Sequence, residues 1–229
     1  MKKNRTMIVV ALAIVLTLSI GYALFSQTIN ITGTATASGS FEFTPTCTIG
    51  IDSGIIPNNS DETTVINNLI SNQNAHITSR GTGTPMPTTV GGSSNNTCVV
   101  DGNQVTMTTT LAYPGALQLF TVKITNTGTI SGRMDPTKYM DVDYSGSGPT
   151  NYYIVGVYID GVNVIPANYA NLSSVITQYT NHEYKPNDVV YIVYGFSWNQ
   201  SPAFSYSCDG GTNCTTTYTF TLPFEQYNQ

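Results

Sequence analysis

Charged side chains are scarce. Lys, Arg, Asp and Glu make up 9% of 229 residues, eight basic against thirteen acidic, for a formal charge of −5. That composition argues against coiled coils and helical bundles, which are built on Lys, Glu, Arg and Gln. It also offers no basic patch to neutralise phosphates, so nucleic acid is excluded as a partner. Trp occurs once, and His76 and His182 are the only histidines. The chain has no His-Glu-x-x-His, no Gly-x-Ser-x-Gly elbow, no Ser-x-x-Lys and no Gly-rich phosphate loop leading into a helix. Both histidines lie in polar stretches and read as solvated surface residues. With no visible nucleophile, metal set or cofactor loop, the reading is a non-enzymatic protein without a cofactor.

What is abundant points to strands. The chain holds 35 Thr, 15 Tyr and 20 Gly. Thr and Tyr suit pleated, half-buried surfaces, while Gly, Asn, Ser and Pro punctuate turns. The many Tyr, Ile, Val and Phe argue against disorder.

The N-terminus looks like an export signal. Lys2, Lys3 and Arg5 precede an uncharged stretch, Met7–Phe25, rich in Val, Leu, Ile and Ala. A positive n-region before an apolar core is the secretory pattern. Gly21 and Ala23 supply small residues at the −3 and −1 positions of a cleavage site after Ala23. A retained anchor is the alternative, because the apolar stretch is just long enough to span a hydrocarbon core of about 30 Å. In either case the membrane is met only through residues 1–25. Cleavage removes three of the eight basic residues and leaves five against thirteen acids, a formal charge of −8.

Cys47, Cys98, Cys208 and Cys214 agree with export, since an even count in a secreted chain suggests two disulfides. Four cysteines allow three connectivities. Cys47–Cys98 with Cys208–Cys214 is favoured, because a short turn separates the latter two. A zinc site fails on spacing, for there is no Cys-x-x-Cys.

The segment Phe25–Phe43 alternates. Phe25, Ile29, Ile31, Ala35 and Ala37 fall on one face, and Thr28, Asn30, Thr32, Thr34 and Thr36 on the other. Period two means an extended strand with one apolar face. Residues 47–103 are rich in Asn, Ser, Gly, Thr and Pro and read as a polar insertion tied at Cys47 and Cys98. Within it, Asp61–Ile70 suggests a short helix capped by Ser60 or Asp61. Further strands are expected at Val105–Leu111, Ala116–Thr125, Tyr152–Asp160, Val162–Ile165, Val189–Trp198 and Thr215–Phe224, with a helix at Ala167–Gln178. Asp160-Gly161 is a strong hairpin signal. Many short strands between turns predict an all-β, antiparallel, jelly-roll-like sandwich over residues 24–229, preceded by the N-terminal signal or transmembrane helix of residues 1–23.

Two binding chemistries are open. Asp135, Asp141 and Asp143 offer hard oxygen ligands that suit calcium, although no EF-hand loop is present and the acids equally suit a solvated strand edge. Tyr152, Tyr153, Tyr158, Tyr191 and Tyr194 suit a sugar-binding platform or, alternatively, sandwich packing.

Three stretches resemble the TasA/camelysin family of exported bacterial biofilm-matrix fibre proteins. They are GYALFSQTINITGTATASGSFEF from Gly21, PGALQLFTVKITNTGTISGRM from Pro114 and YKPNDVVYIVYGFSW from Tyr184. The resemblance implies a jelly-roll fold, processing by a dedicated signal peptidase, secretion, and head-to-tail fibres in which the mature N-terminal strand of one copy completes the sheet of the next. The 47–103 stretch and the disulfides depart from that family's basic pattern. The protease label carried by camelysin finds no metal-ligand motif here. The reading is therefore an exported structural protein of the cell surface or matrix whose partner is a copy of itself. The alternative is a monomeric surface or adhesin module that recognises carbohydrate or a protein ligand.

Overall fold

The computed structural model describes residues 39–58, 60–80, 85–135, 141–146, 150–164, 180–198 and 213–227. Among them are eleven strands and one α-helix. The strands are β1 (Phe43–Ile49), β2 (Ser93–Asp101), β3 (Gln104–Leu111), β4 (Leu117–Asn126), β5 (Gly132–Met134), β6 (Asp141–Gly146), β7 (Thr150–Ile159), β8 (Val162–Asn163), β9 (Val189–Trp198), β10 (Cys214–Thr221) and β11 (Phe224–Gln226). The helix, α1, spans Glu62–Arg80.

The chain is mostly β, and every strand pairing is antiparallel. One sheet has the order β1-β4-β9-β7-β8, a second β2-β3-β10-β6, and a small third pairs β11 with β5. Phe120, Val122, Ile124, Val190, Ile192, Tyr194 and Phe196 of the first sheet pack against Val105, Met107, Tyr218 and Phe220 of the second. Alternation along β3 and β10 explains the arrangement. Every second side chain turns inward, and the others, apart from Gln104, are Thr on the opposite face. The outward Thr pair across the strands, Oγ1 to Oγ1, at 3.1 Å for Thr106–Thr219, 2.9 Å for Thr108–Thr217 and 3.0 Å for Thr110–Thr215.

The first sheet is covered on its other face as well. Leu117, Leu119, Val155, Tyr158 and Val193 point away from the inter-sheet core and are buried by Ile51, Ile55, Val65, Leu69, Ile70 and Met86. This makes β4 buried along nearly its whole length, where its alternation alone suggested one solvated face. Asp61 caps α1, accepting from the Thr64 backbone N–H at 3.3 Å. The helix is longer than the sequence suggested. Its buried positions Val65, Leu69, Gln73 and Ile77 recur every four residues, the spacing of one helical face. Asn74 pins the returning chain. Its Nδ2 donates to the Met86 carbonyl at 2.9 Å, and its Oδ1 accepts from the Met86 N–H at 2.7 Å.

The 47–103 stretch therefore differs from the expected insertion. Its two ends are strands of the sandwich, and its apolar residues, though few, build the layer that covers β4 and β9. Asp160 and Gly161, with φ of 52° and 76°, form the expected β7–β8 turn, whose positive φ values favour these residue types. The expected strand Thr215–Phe224 is broken into β10 and β11 around Pro223, which has no N–H to give a ladder. The expected helix at Ala167–Gln178 lies outside the described residues, as do the leader and the alternating segment carrying Phe25, Ile29, Ile31, Ala35 and Ala37. Among the described residues, no helix is long and apolar enough to cross a membrane.

Candidate functional site

The two lateral seams of the sandwich differ, and that difference is the feature closest to a function. On one side the edge strands are β1 and β2. Cys47 lies on the inward face of β1, opposite Val122, and Cys98 on the inward face of β2, opposite Met107. They form a disulfide with their Cα atoms 5.9 Å apart. Stacked sheets ordinarily lie about 10 Å apart, so the seam is pinched at this point. Of the three connectivities open to the sequence, this pairing is the one formed. Cys214 is also disulfide-bonded, while its expected partner Cys208 lies outside the described residues.

On the other side the edge strands are β8 and β6, and within the core there lies a narrow apolar cleft of about 10 Å³, room for about one water. Ile154 and Val157 of β7 and Ile192 and Tyr194 of β9 form one wall. Phe220 of β10, with Leu222, forms the other. Alternation along β9, and along β7 with its register shift between Ile154 and Gly156, brings these side chains inward. The neighbouring strand β8 is two residues long and pairs only with Tyr158 and Ile159. Met134 and Pro223, held together by the β5–β11 pair, line one end. That pair carries an ion pair, Arg133 Nε to Glu225 Oε1 at 2.6 Å.

The other candidate residues are distributed rather than gathered. Asp141 and Asp143 lie on β6, in register with Thr221 and Thr219, and their side chains are outside the described residues. Asp135 follows β5, and its N–H donates to the Pro223 carbonyl at 2.7 Å. Among the described residues, no group of three His, Cys, Asp or Glu side chains could hold a metal ion. The five tyrosines do not form one platform. Tyr194 is buried in the inter-sheet core, Tyr158 is buried beneath α1, and Tyr153 and Tyr191 are half-buried in the same outer layer. Tyr152 is exposed and tilts against Tyr218. His182 corrects the sequence reading. It is half-buried, its Nε2 is shielded from solvent without a hydrogen-bond partner, and its ring sits edge-on to Tyr184, 4.7 Å between centroids. His76 lies on α1 rather than in a loop.

The cleft was not visible in the sequence. Its lining comes from four separated segments, each of which reads as ordinary strand. Comparison with protein-family models, with curated proteins and with solved structures finds no match.

Proposed function

We propose that this protein is an exported structural component of the cell surface or extracellular matrix, a TasA-like, jelly-roll-type filament subunit that assembles by lending its N-terminal strand to a second copy. The observation that carries the reading is the period-two alternation that places Phe25, Ile29, Ile31, Ala35 and Ala37 on one face of the segment after the leader. Added to the sheet of a second copy, such a strand would bury apolar side chains at about 1.5–3 kcal/mol for each large one fully covered. Its backbone would add to a sheet edge, the ordinary mode of strand addition. Because donor and acceptor are different surfaces, the contact is head-to-tail and propagates.

Export is the premise. The Cys47–Cys98 disulfide is compatible with an oxidising, extracellular location. A signal peptidase acting after Ala23 frees the strand, and the role is structural rather than catalytic. The test is deletion of Leu24–Ala37 behind an intact leader, followed by electron microscopy of the secreted protein. Fibres are expected to vanish. Fibres at the wild-type level would end the proposal.

A further inference from the structure

We propose that Asn95 is an N-glycosylation site, at which the exported chain receives a saccharide from a lipid diphosphate-linked donor. The inference rests on the export half of the reading above and not on strand donation.

The triplet Asn-x-Ser/Thr is the acceptor pattern for this modification, and it implies a surface segment of an exported protein. It occurs seven times in the chain, and two occurrences lie wholly within the described residues, Asn95-Asn96-Thr97 and Asn213-Cys214-Thr215. A chain this rich in Asn, Ser and Thr produces such triplets by composition, so the triplet alone decides nothing. The backbone separates the two. A transferase needs the acceptor amide within reach and the triplet bent, so that the hydroxyl two residues on is held beside it. Cys214 and Thr215 lie flat on the β10 ladder, in register with Leu111 and Thr110, and Cys214 is buried and disulfide-bonded. Asn95 is the opposite case. It sits in the β2 bulge, where the pairing with β3 lapses between Ser94 and Thr97, and its φ of 51° takes the chain out of the extended form. Asn95 and Thr97 are both exposed.

Asn96 holds that bend. Its Nδ2 donates to Gln118 Oε1 at 2.9 Å and to Ser93 Oγ at 3.3 Å, and its Oδ1 accepts from Thr109 Oγ1 at 2.6 Å. Gln118 and Thr109 are buried. The middle residue of the triplet is thus anchored in the interior, so the bulge is part of the fold and Asn95 is presented at the surface of the folded protein. β2 is the outermost strand of its sheet, and Val99 on it is 57% exposed. A saccharide rooted here covers part of a strand edge, one of the ways in which unwanted pairing is prevented. In the transfer, Asn95 Nδ2 forms a bond to the anomeric carbon of the sugar as the bond from that carbon to the diphosphate oxygen breaks. The lipid diphosphate leaves, and Nδ2 gives up one of its two protons.

The experiment takes the protein from the medium and from the cells that make it, and reads intact masses and proteolytic peptides by mass spectrometry. The exported protein is expected to be heavier than its sequence by whole saccharide units. The peptide containing Asn95 should carry them, and the peptide containing Asn213 should not. Thr97→Val, which keeps the branched side chain and leaves Asn95 in place, should abolish the adduct, and Thr97→Ser should retain it. An exported protein whose Asn95 peptide is bare overturns the site and leaves export standing, as does an adduct on Asn213 alone. Equal modification of Thr97→Val and the unaltered protein overturns it too, because the triplet would then play no part. A chain found only inside the cells, with its leader intact and no added mass, overturns both this site and export.

Discussion

The side-chain amide of Asn126 donates to the Tyr184 carbonyl oxygen at 2.8 Å, 58 residues away in sequence. The same Nδ2 donates to the Ile130 carbonyl at 3.0 Å, and Oδ1 accepts from the Gly128 N–H at 3.0 Å. Asn126 is fully buried, so its amide must find its partners within the protein, and it takes them from two separate turns. The backbone repeats the tie, because Asn187 donates to the Asn126 carbonyl at 2.8 Å. The Tyr184 ring then packs edge-on against Phe43 and Phe224, linking the first and last strands of the described chain.

Replacing Asn126 by Ala removes all three bonds, while the Tyr184 carbonyl keeps the Gly132 N–H and the Gly128 N–H keeps the Glu42 carbonyl. Each such bond is worth about 0.5–1.5 kcal/mol net, so a loss of about 3 kcal/mol is expected in urea unfolding. Val162→Thr, at an exposed position in the β7–β8 hairpin, serves as the control and should shift stability by no more than about 0.5 kcal/mol.

Removing the Cys47–Cys98 crosslink should cost more. It closes a loop across a sequence separation of 51 residues. The chain-entropy relation gives about 4 kcal/mol for such a loop. Denaturant midpoints of C47S/C98S and of the intact protein measure it. A loss under about 1 kcal/mol would mean that the reduced, unfolded chain is already held compact.

Strand positions and hairpin turns were legible because each has a local cause. Val189–Trp198 is mostly apolar and bounded by Asn187-Asp188, and the β7–β8 turn needs residues that tolerate positive φ. The outer layer was not legible. Ile51, Ile55 and Met86 lie in polar surroundings, and nothing local shows that they cover Leu117 and Leu119. The length of α1 was hidden for the same reason. Its Asn-, Ser- and Thr-rich sequence has modest helix propensity, and a narrow row of buried residues docks it. The pairing of Cys47 with Cys98 was one of three options until β1 and β2 were placed beside each other. The cleft depends on four separated segments and left no mark in the sequence.

The bulge in β7 between Ile154 and Gly156 lets α1 approach closely. A Cβ at position 156 would stand 2.9 Å from Leu69 Cδ2 and 3.1 Å from Tyr158 Cε2. Gly156→Ala should therefore cost about 1–3 kcal/mol through overpacking. Leu69→Ala alone should cost about 2–5 kcal/mol through the cavity it leaves beneath the helix. The two effects should not add. In the double variant the new methyl occupies part of the vacated space, giving a coupling of about 0.5–3 kcal/mol in the compensating direction. Simple additivity would show that the helix shifts away rather than holding this contact.

The paired threonines on the outer face of β3 and β10 supply polarity more than stability. Thr108→Val with Thr217→Val removes both partners of a 2.9 Å bond and conserves shape. Replacing both members is close to neutral, so thermal unfolding should change little. Solubility should fall instead, because two branched apolar side chains would stand on a flat outer face. Light scattering against concentration measures this. A strong loss of stability with unchanged solubility would show that the hydroxyl pair itself holds the strands together.

Two tyrosines give the fold an alkaline limit. Burial pushes the Tyr158 hydroxyl above its ordinary pKa of 10.0. Burial does the same to Tyr153, against the opposing effect of hydrogen bonds with Ser197 and Asn151. In the unfolded chain both hydroxyls ionise near the ordinary value, while in the folded chain they keep their protons to higher pH. Above about pH 10 the folded state therefore holds more protons than the unfolded one, and stability must fall as pH rises. Below that point the contribution is fully present and flat. Melting temperature measured from pH 8 to 11.5 should hold level and then drop beyond about pH 10. Tyr158→Phe keeps the ring packed against Leu69 and Val193 but removes one ionising group, so its decline should be shallower. An equally steep decline in that variant would place the alkaline sensitivity in other side chains and show that Tyr158 is solvated in the folded protein.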